Sequence, residues 1–273
     1  MAVCNFYRDR VIPQCGLIGI KTATGNTVKN LGDIIICSLM LLFILEVCWK
    51  SRRRVLAVGY KEITLFFTLY MLLLFFQIFA TGGFLVDKTE SIMWVTSIYI
   101  GLVTATSAVL VINAIVALQV FEDGTLVSTF STFSISVLFF IASSYLAFNI
   151  GHELALSNDE FSTNIQRRIT VLFGLYVVLP LVCVGIYTVL QIFIVYRKLD
   201  IRKPLFRLYF ALACFVAAQP VFLIASMSIC KTTKQTIDGS PFATFLVSLA
   251  VYQMYKYWAD ITEEEWEGEN DPF

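Results

Sequence analysis

The feature that most constrains this chain is a series of long apolar runs almost free of charge. A helix that crosses the hydrocarbon core of a bilayer needs roughly 20 apolar residues. Backbone polar groups at that depth must be satisfied internally, so a run of that length is a helix. Runs of this kind cover about 31–49, 62–82, 92–120, 130–150, 169–196, 205–226 and 240–258. The rest of the composition agrees: 58% of the 273 residues are hydrophobic and 15% are charged, against about half and about a quarter in soluble domains. The expected fold is an all-α polytopic membrane protein, a bundle of about seven transmembrane helices. It divides into an N-terminal segment (1–30), the helical domain (31–258) and an acidic tail (259–273).

Basic residues set the orientation, because cytosolic loops collect Lys and Arg. "KSRRRVLAVGYK" (50–61) carries five and "RKLDIRKPLFR" (197–207) carries five more. With seven spans these loops share a side. The N-terminus is therefore expected in the lumen or outside, and the C-terminus in the cytosol. Glu46 stands one helical turn before Lys50 and is placed to pair with it. The first 30 residues lack the apolar core of a signal peptide. Net charge is zero, which gives no basic footprint for nucleic acid.

Chemistry-bearing patterns are sparse. The one histidine, His152, falls in an expected lumenal loop, and one His without clustered Cys or carboxylates is a poor metal site. No phosphate-binding Gly loop, G-x-S-x-G or H-E-x-x-H occurs in the sequence. Lys256 sits beside Tyr255, Tyr257 and Trp258, where a snorkelling Lys in an aromatic belt belongs. No catalytic residue, metal or cofactor is expected. Ionisable residues in the runs keep to their ends, and the interior polar groups are amides: Gln77, Asn113, Gln119, Gln191, Gln219 and Gln253. Such amides commonly bond between helices, or line an uncharged channel. Gly101, Ala105 and Ala108, followed by Asn113, form a small-residue stripe on the third run. Such a stripe packs closely within the bundle or against another membrane helix.

Seven cysteines are present. Cys37, Cys48, Cys183 and Cys214 lie in the runs and read as small apolar residues. Cys4, Cys15 and Cys230 fall on the expected lumenal side, where disulfides form. Closeness in sequence favours Cys4–Cys15, with Cys15–Cys230 as the alternative. The turn "FEDGT" between the third and fourth runs places Glu122, Asp123, Gly124 and Thr125 at the cytosolic face. It is either a tight membrane-surface turn or a partner contact with Tyr257 and Trp258 nearby. The tail "DITEEEWEGENDPF" concentrates acids whose repulsion favours an extended, solvated segment. Glu263, Glu264, Glu265 and Trp266 are its candidate contacts, and Glu263, Glu265 and Glu267 are spaced like acidic export signals read by vesicle coat proteins.

Several of these pieces occur in one order. "AVGYKE", "FEDGT", "SIC…IDG" and "YKYWADITEEEWE" resemble the fungal chitin synthase export chaperone family, and "IPQCGLIG" after Cys4 is similar to its paired-cysteine start. The resemblance runs from the N-terminus to the tail. It departs in a shorter N-terminal segment and in Tyr60, where a basic residue is usual. It implies a multi-pass endoplasmic reticulum protein, not an enzyme, that escorts a polytopic chitin synthase, or another polytopic client, so that it folds and is exported. The alternatives by class are a seven-helix receptor or sensor, a transporter and a membrane enzyme.

Overall fold

The structure is a computed structural model, and it describes residues 20–21, 27–28, 30–52, 59–82, 89–118, 126–156, 170–199 and 203–269. Two two-residue strands, β1 (Ile20–Lys21) and β2 (Thr27–Val28), pair antiparallel with Ile20 opposite Val28. They are the one exception to the all-α expectation among the described residues. Seven long helices follow among the described residues. These are α1 (Leu31–Arg52), α2 (Tyr60–Thr81), α3 (Thr89–Ala117), α4 (Leu126–Leu156), α5 (170–199), α6 (203–232) and α7 (Ser240–Glu269). Each overlaps one of the seven apolar runs.

The helix ends follow local chemistry. Gly59 takes φ 68°, a left-handed conformation that suits Gly, and its carbonyl accepts the first bond of α2 from Ile63 N. In α5, Pro180 has no N–H and its ring crowds the preceding turn. The turn Gly174–Val178 widens to a π-helix there, with Leu179 N bonding to Gly174 O. In α6 the π-turn Val221–Ala225 directly follows Pro220 instead. A third π-turn, Val195–Leu199, ends α5 with no proline beside it.

α3 is the hub. It packs on α2, α4 and α5, while α7 packs on α1 and α6. α5 and α6 touch less, and α2 meets α4 only marginally. The core is aromatic and aliphatic: Phe66, Phe67, Tyr70 and Leu74 from α2, Tyr99 and Val109 from α3, Leu208 from α6, and Val251, Met254 and Tyr257 from α7. Large apolar side chains also cover the outside, including Leu39, Leu42, Leu138, Phe206 and Ile224. A water-soluble surface does not carry so large an apolar cover. Six of the helices, α1 to α6, are long and apolar enough to cross a membrane. The seventh, α7, is as long but more polar, and its middle is buried.

Candidate functional site

Buried carboxylates stand at both ends of the bundle: Asp33 and Asp238 at one, Glu62 at the other. At one end, Asp33 in the first turn of α1 is fully buried. Its carboxylate accepts from Thr81 Oγ1 at 2.7 Å, from Thr244 Oγ1 at 3.3 Å and from Gln77 Nε2 at 3.4 Å. Gln77 also donates to Thr244 at 2.7 Å. One carboxylate thereby joins α1, α2 and α7. Beside it, Asn30 Nδ2 donates to Asp238 Oδ1 at 3.0 Å and to Ser240 Oγ at 2.7 Å. Asp238 accepts in turn from the backbone N of Ser240 at 2.9 Å, which starts α7. Gly239 N donates to Ser226 Oγ of α6 at 3.2 Å. A Cβ on Gly239 would meet Val221 O at 2.6 Å and Ser226 Cα at 2.9 Å, so only Gly fits there. This gives the "IDG" motif its physical content: a carboxylate staple and a close backbone approach.

At the other end, Glu62 in the first turn of α2 is 1% exposed. Its Oε1 accepts from Ser128 Oγ of α4 at 2.9 Å, and its Oε2 has no partner. Arg207 of α6 pairs with Asp260 of α7 at 3.0 Å, and the Tyr257 hydroxyl donates to Gln191 Oε1 of α5 at 3.0 Å. Between the two ends lies a cavity of about 160 Å³ lined by α2, α3, α5, α6 and α7. Its wall is mostly apolar, with Tyr99, Tyr176, Gln219 and Thr244 among the polar groups.

The residues singled out from the sequence fare unevenly. Gly101 and Ala105 are fully buried, with Ala108 and Asn113 nearly so. A Cβ on Gly101 would clash with Ser144 and approach Phe140 of α4, so the stripe serves packing inside the bundle. The Asn113 amide nitrogen finds no partner. Lys50 pairs with Glu46 as expected. Gln77 and Gln191 bond between helices as expected of interior amides.

Tyr257 and Trp258 correct an expectation. At 1% and 8% exposure they belong to the core, so they support the α7 end and cannot be contacted from outside. Tyr255 is buried as well. Lys256 instead lies over the Tyr252 ring at 5.8 Å. His152 is not in a loop but on α4, exposed beside Phe148. The acidic tail is not extended: the backbone of α7 stays helical to Glu269. Glu is a good helix former, and adding residues to an established helix costs little. The side chains of Glu263, Glu264, Glu265 and Trp266 lie outside the described ones, as do Glu122, Asp123, Gly124 and Thr125 entirely.

Cys230 at the end of α6 is fully buried and disulfide-bonded, whereas Cys37, Cys48, Cys183 and Cys214 are free. The expected partners Cys4 and Cys15 lie outside the described residues. The engagement of Cys230 runs against the Cys4–Cys15 pairing that closeness in sequence favoured, because that pairing would leave Cys230 spare. Sequence reasoning also missed Asp33 and Glu62. Both stand at the edge of an apolar run, where a carboxylate reads as solvated.

An antiparallel, all-helical bundle that is apolar outside and bears six membrane-length helices belongs to the polytopic helical class. Within it, the chain belongs to the chitin synthase export chaperone family, whose model matches residues 3–271. It is 37% identical over 263 residues to the chitin synthase export chaperone of Chaetomium globosum, covering 93% of this chain and 74% of that one. It is 32% identical over 278 residues to that of Cryptococcus neoformans var. neoformans, covering 98% and 73%. With that of Emericella nidulans it shares 31% over 267 residues, covering 94% and 75%. No solved structure matches the chain.

Proposed function

We propose that this chain is a membrane chaperone of the endoplasmic reticulum that binds a polytopic chitin synthase and promotes its folding and export. The observation that carries the reading is family membership along residues 3–271, joined to a bundle whose motif residues hold helices together. All seven long helices cross the bilayer in this reading, the N-terminus is lumenal and the C-terminus cytosolic. The basic loops at 50–61 and 197–207 support that orientation. So does the disulfide at Cys230, since disulfides persist in oxidising compartments. Its proposed partner is one of the two other candidate cysteines, Cys15 or Cys4, both outside the described residues. The tail beyond α7 offers Glu263, Glu264, Glu265 and Trp266, with the turn Glu122–Thr125, as cytosolic contacts for the client or for vesicle coat proteins.

The physical logic is that of a temporary neighbour. A client with many spans exposes polar helix faces before they pack, and a bundle with buried polar groups covers them. The test is co-purification from detergent with quantified subunit ratios, together with client delivery in cells lacking the chaperone. Chitin synthase recovered with the chain, and retained inside cells without it, is the expected result. Normal delivery of the synthase in those cells would overturn the reading.

A further inference from the structure

The position of Glu62 goes beyond a structural role. A carboxylate 1% exposed with a single neutral hydrogen bond is an expensive arrangement, because a buried charge needs a paired, hydrogen-bonded partner. Glu62 also lines a groove of about 410 Å³ between α2 and α4, with Leu65, Thr129, Thr132 and, at the rim, Phe130 and Phe133. α2 and α4 both pack on α3 and barely touch each other, so the groove opens sideways from the bundle. Its rim is apolar and turned outward: Phe130 is 72% exposed and Phe133 55%. Lys61 also lines the groove but is exposed, while the second Glu62 oxygen is buried without a hydrogen bond.

We infer that Glu62 receives a Lys or Arg side chain from the cytosolic end of a client transmembrane helix lodged in the α2–α4 groove. The inference rests on the chaperone reading and names its contact surface. Three features select this occupant. A buried carboxylate selects a cationic donor, and charge complementarity sets which partner docks and in what register. Glu62 stands in the first turn of α2, at the end where the basic loop 50–61 lies. Membrane helices carry Lys and Arg at their cytosolic ends, so a client helix aligned with α2 brings a cation to that depth. The groove walls continue as Leu65, Thr132 and two Phe rings, which suit a helix side rather than a lipid headgroup.

The experiment uses the full chain in its membrane, with a photo-crosslinking phenylalanine analogue at Phe133, alone and combined with Glu62→Gln. Gln keeps the acceptor for Ser128 and removes the charge. The expected result is a crosslinked product containing chitin synthase. It should fall about tenfold or more in Glu62→Gln, the scale of losing one buried charge pair. The melting temperature of the chaperone alone should be unchanged or higher, because a buried, unpaired charge has been removed; a purely structural Glu62 would lower it. Equal client capture by both variants, or crosslinks to lipid only, would sink the inference while leaving the chaperone reading intact if the client still co-purifies. If the unmodified chain co-purifies with no client, both fall together.

Discussion

At the scale of single residues, the decisive groups are carboxylates in places where carboxylates are costly. Asp33 accepts from three side chains on two other helices. Asp33→Ala removes the acceptor that ties α1 to α2 and α7 and leaves a void. Gln77 keeps Thr244 and Thr81 keeps the Gln77 carbonyl, so the cost is that of the lost bonds, about 0.5–1.5 kcal/mol each and more to a charged group. A loss of about 2–4 kcal/mol is expected, read as a lower melting temperature of the detergent-solubilised protein. Asp33→Asn keeps an acceptor and the volume, so its loss should be distinctly smaller. An equal loss for both would show that charge, not hydrogen bonding, is what α1 contributes. Gly239→Ala probes the same end differently. Its Cβ meets backbone atoms of α6 that cannot swing away, and overpacking of this kind costs about 1–3 kcal/mol. The expected signature is a destabilised α6–α7 end with an unchanged helical signal in circular dichroism.

Between elements, the close approach of α3 to α4 is set by Gly101. Gly101→Leu would push into Phe140 and Ser144, where Gly lets the helices meet. It should weaken the bundle by about 1–3 kcal/mol, whereas Gly174→Ala, with open space around its Cβ, should change stability by less than about 1 kcal/mol. Much of this architecture was legible in the sequence, because apolar length dictates membrane-length helices and small residues at helical spacing dictate close contact. The π-turns beside Pro180 and Pro220 do not follow from the apolar runs, although each proline removes one donor from the ladder. Asp33 and Glu62 were illegible for a different reason: whether a carboxylate at the edge of an apolar run faces water or a neighbouring helix depends on rotation about the helix axis. The apolar runs here leave that rotation open, since they are hydrophobic on nearly all sides. Burial of Tyr257 and Trp258 was hidden in the same way. The tail is helical because extending an existing helix costs little, and this outweighs the repulsion among its acids.

For the whole molecule, the property with the most consequences is which end faces which compartment. The two ends differ chemically. One holds Asp33, Asp238 and the disulfide-bonded Cys230, and the other holds Glu62 and the Arg207–Asp260 pair. A disulfide requires an oxidising side, and dense Lys and Arg loops require the cytosolic side. In the proposed orientation, which both criteria support, the Cys230 end faces the lumen and the Glu62 end the cytosol. Protease added to sealed microsomes should therefore remove a tag at the C-terminus and spare one at the N-terminus until detergent is added. On the same samples, reductant should lower the melting temperature of the unmodified protein, since a native disulfide contributes about 2–4 kcal/mol. It should leave Cys230→Ser unaffected. Digestion of the N-terminal tag in sealed microsomes would put Cys230 in a reducing compartment, and the Glu62 groove could then no longer meet the basic flank of a client helix.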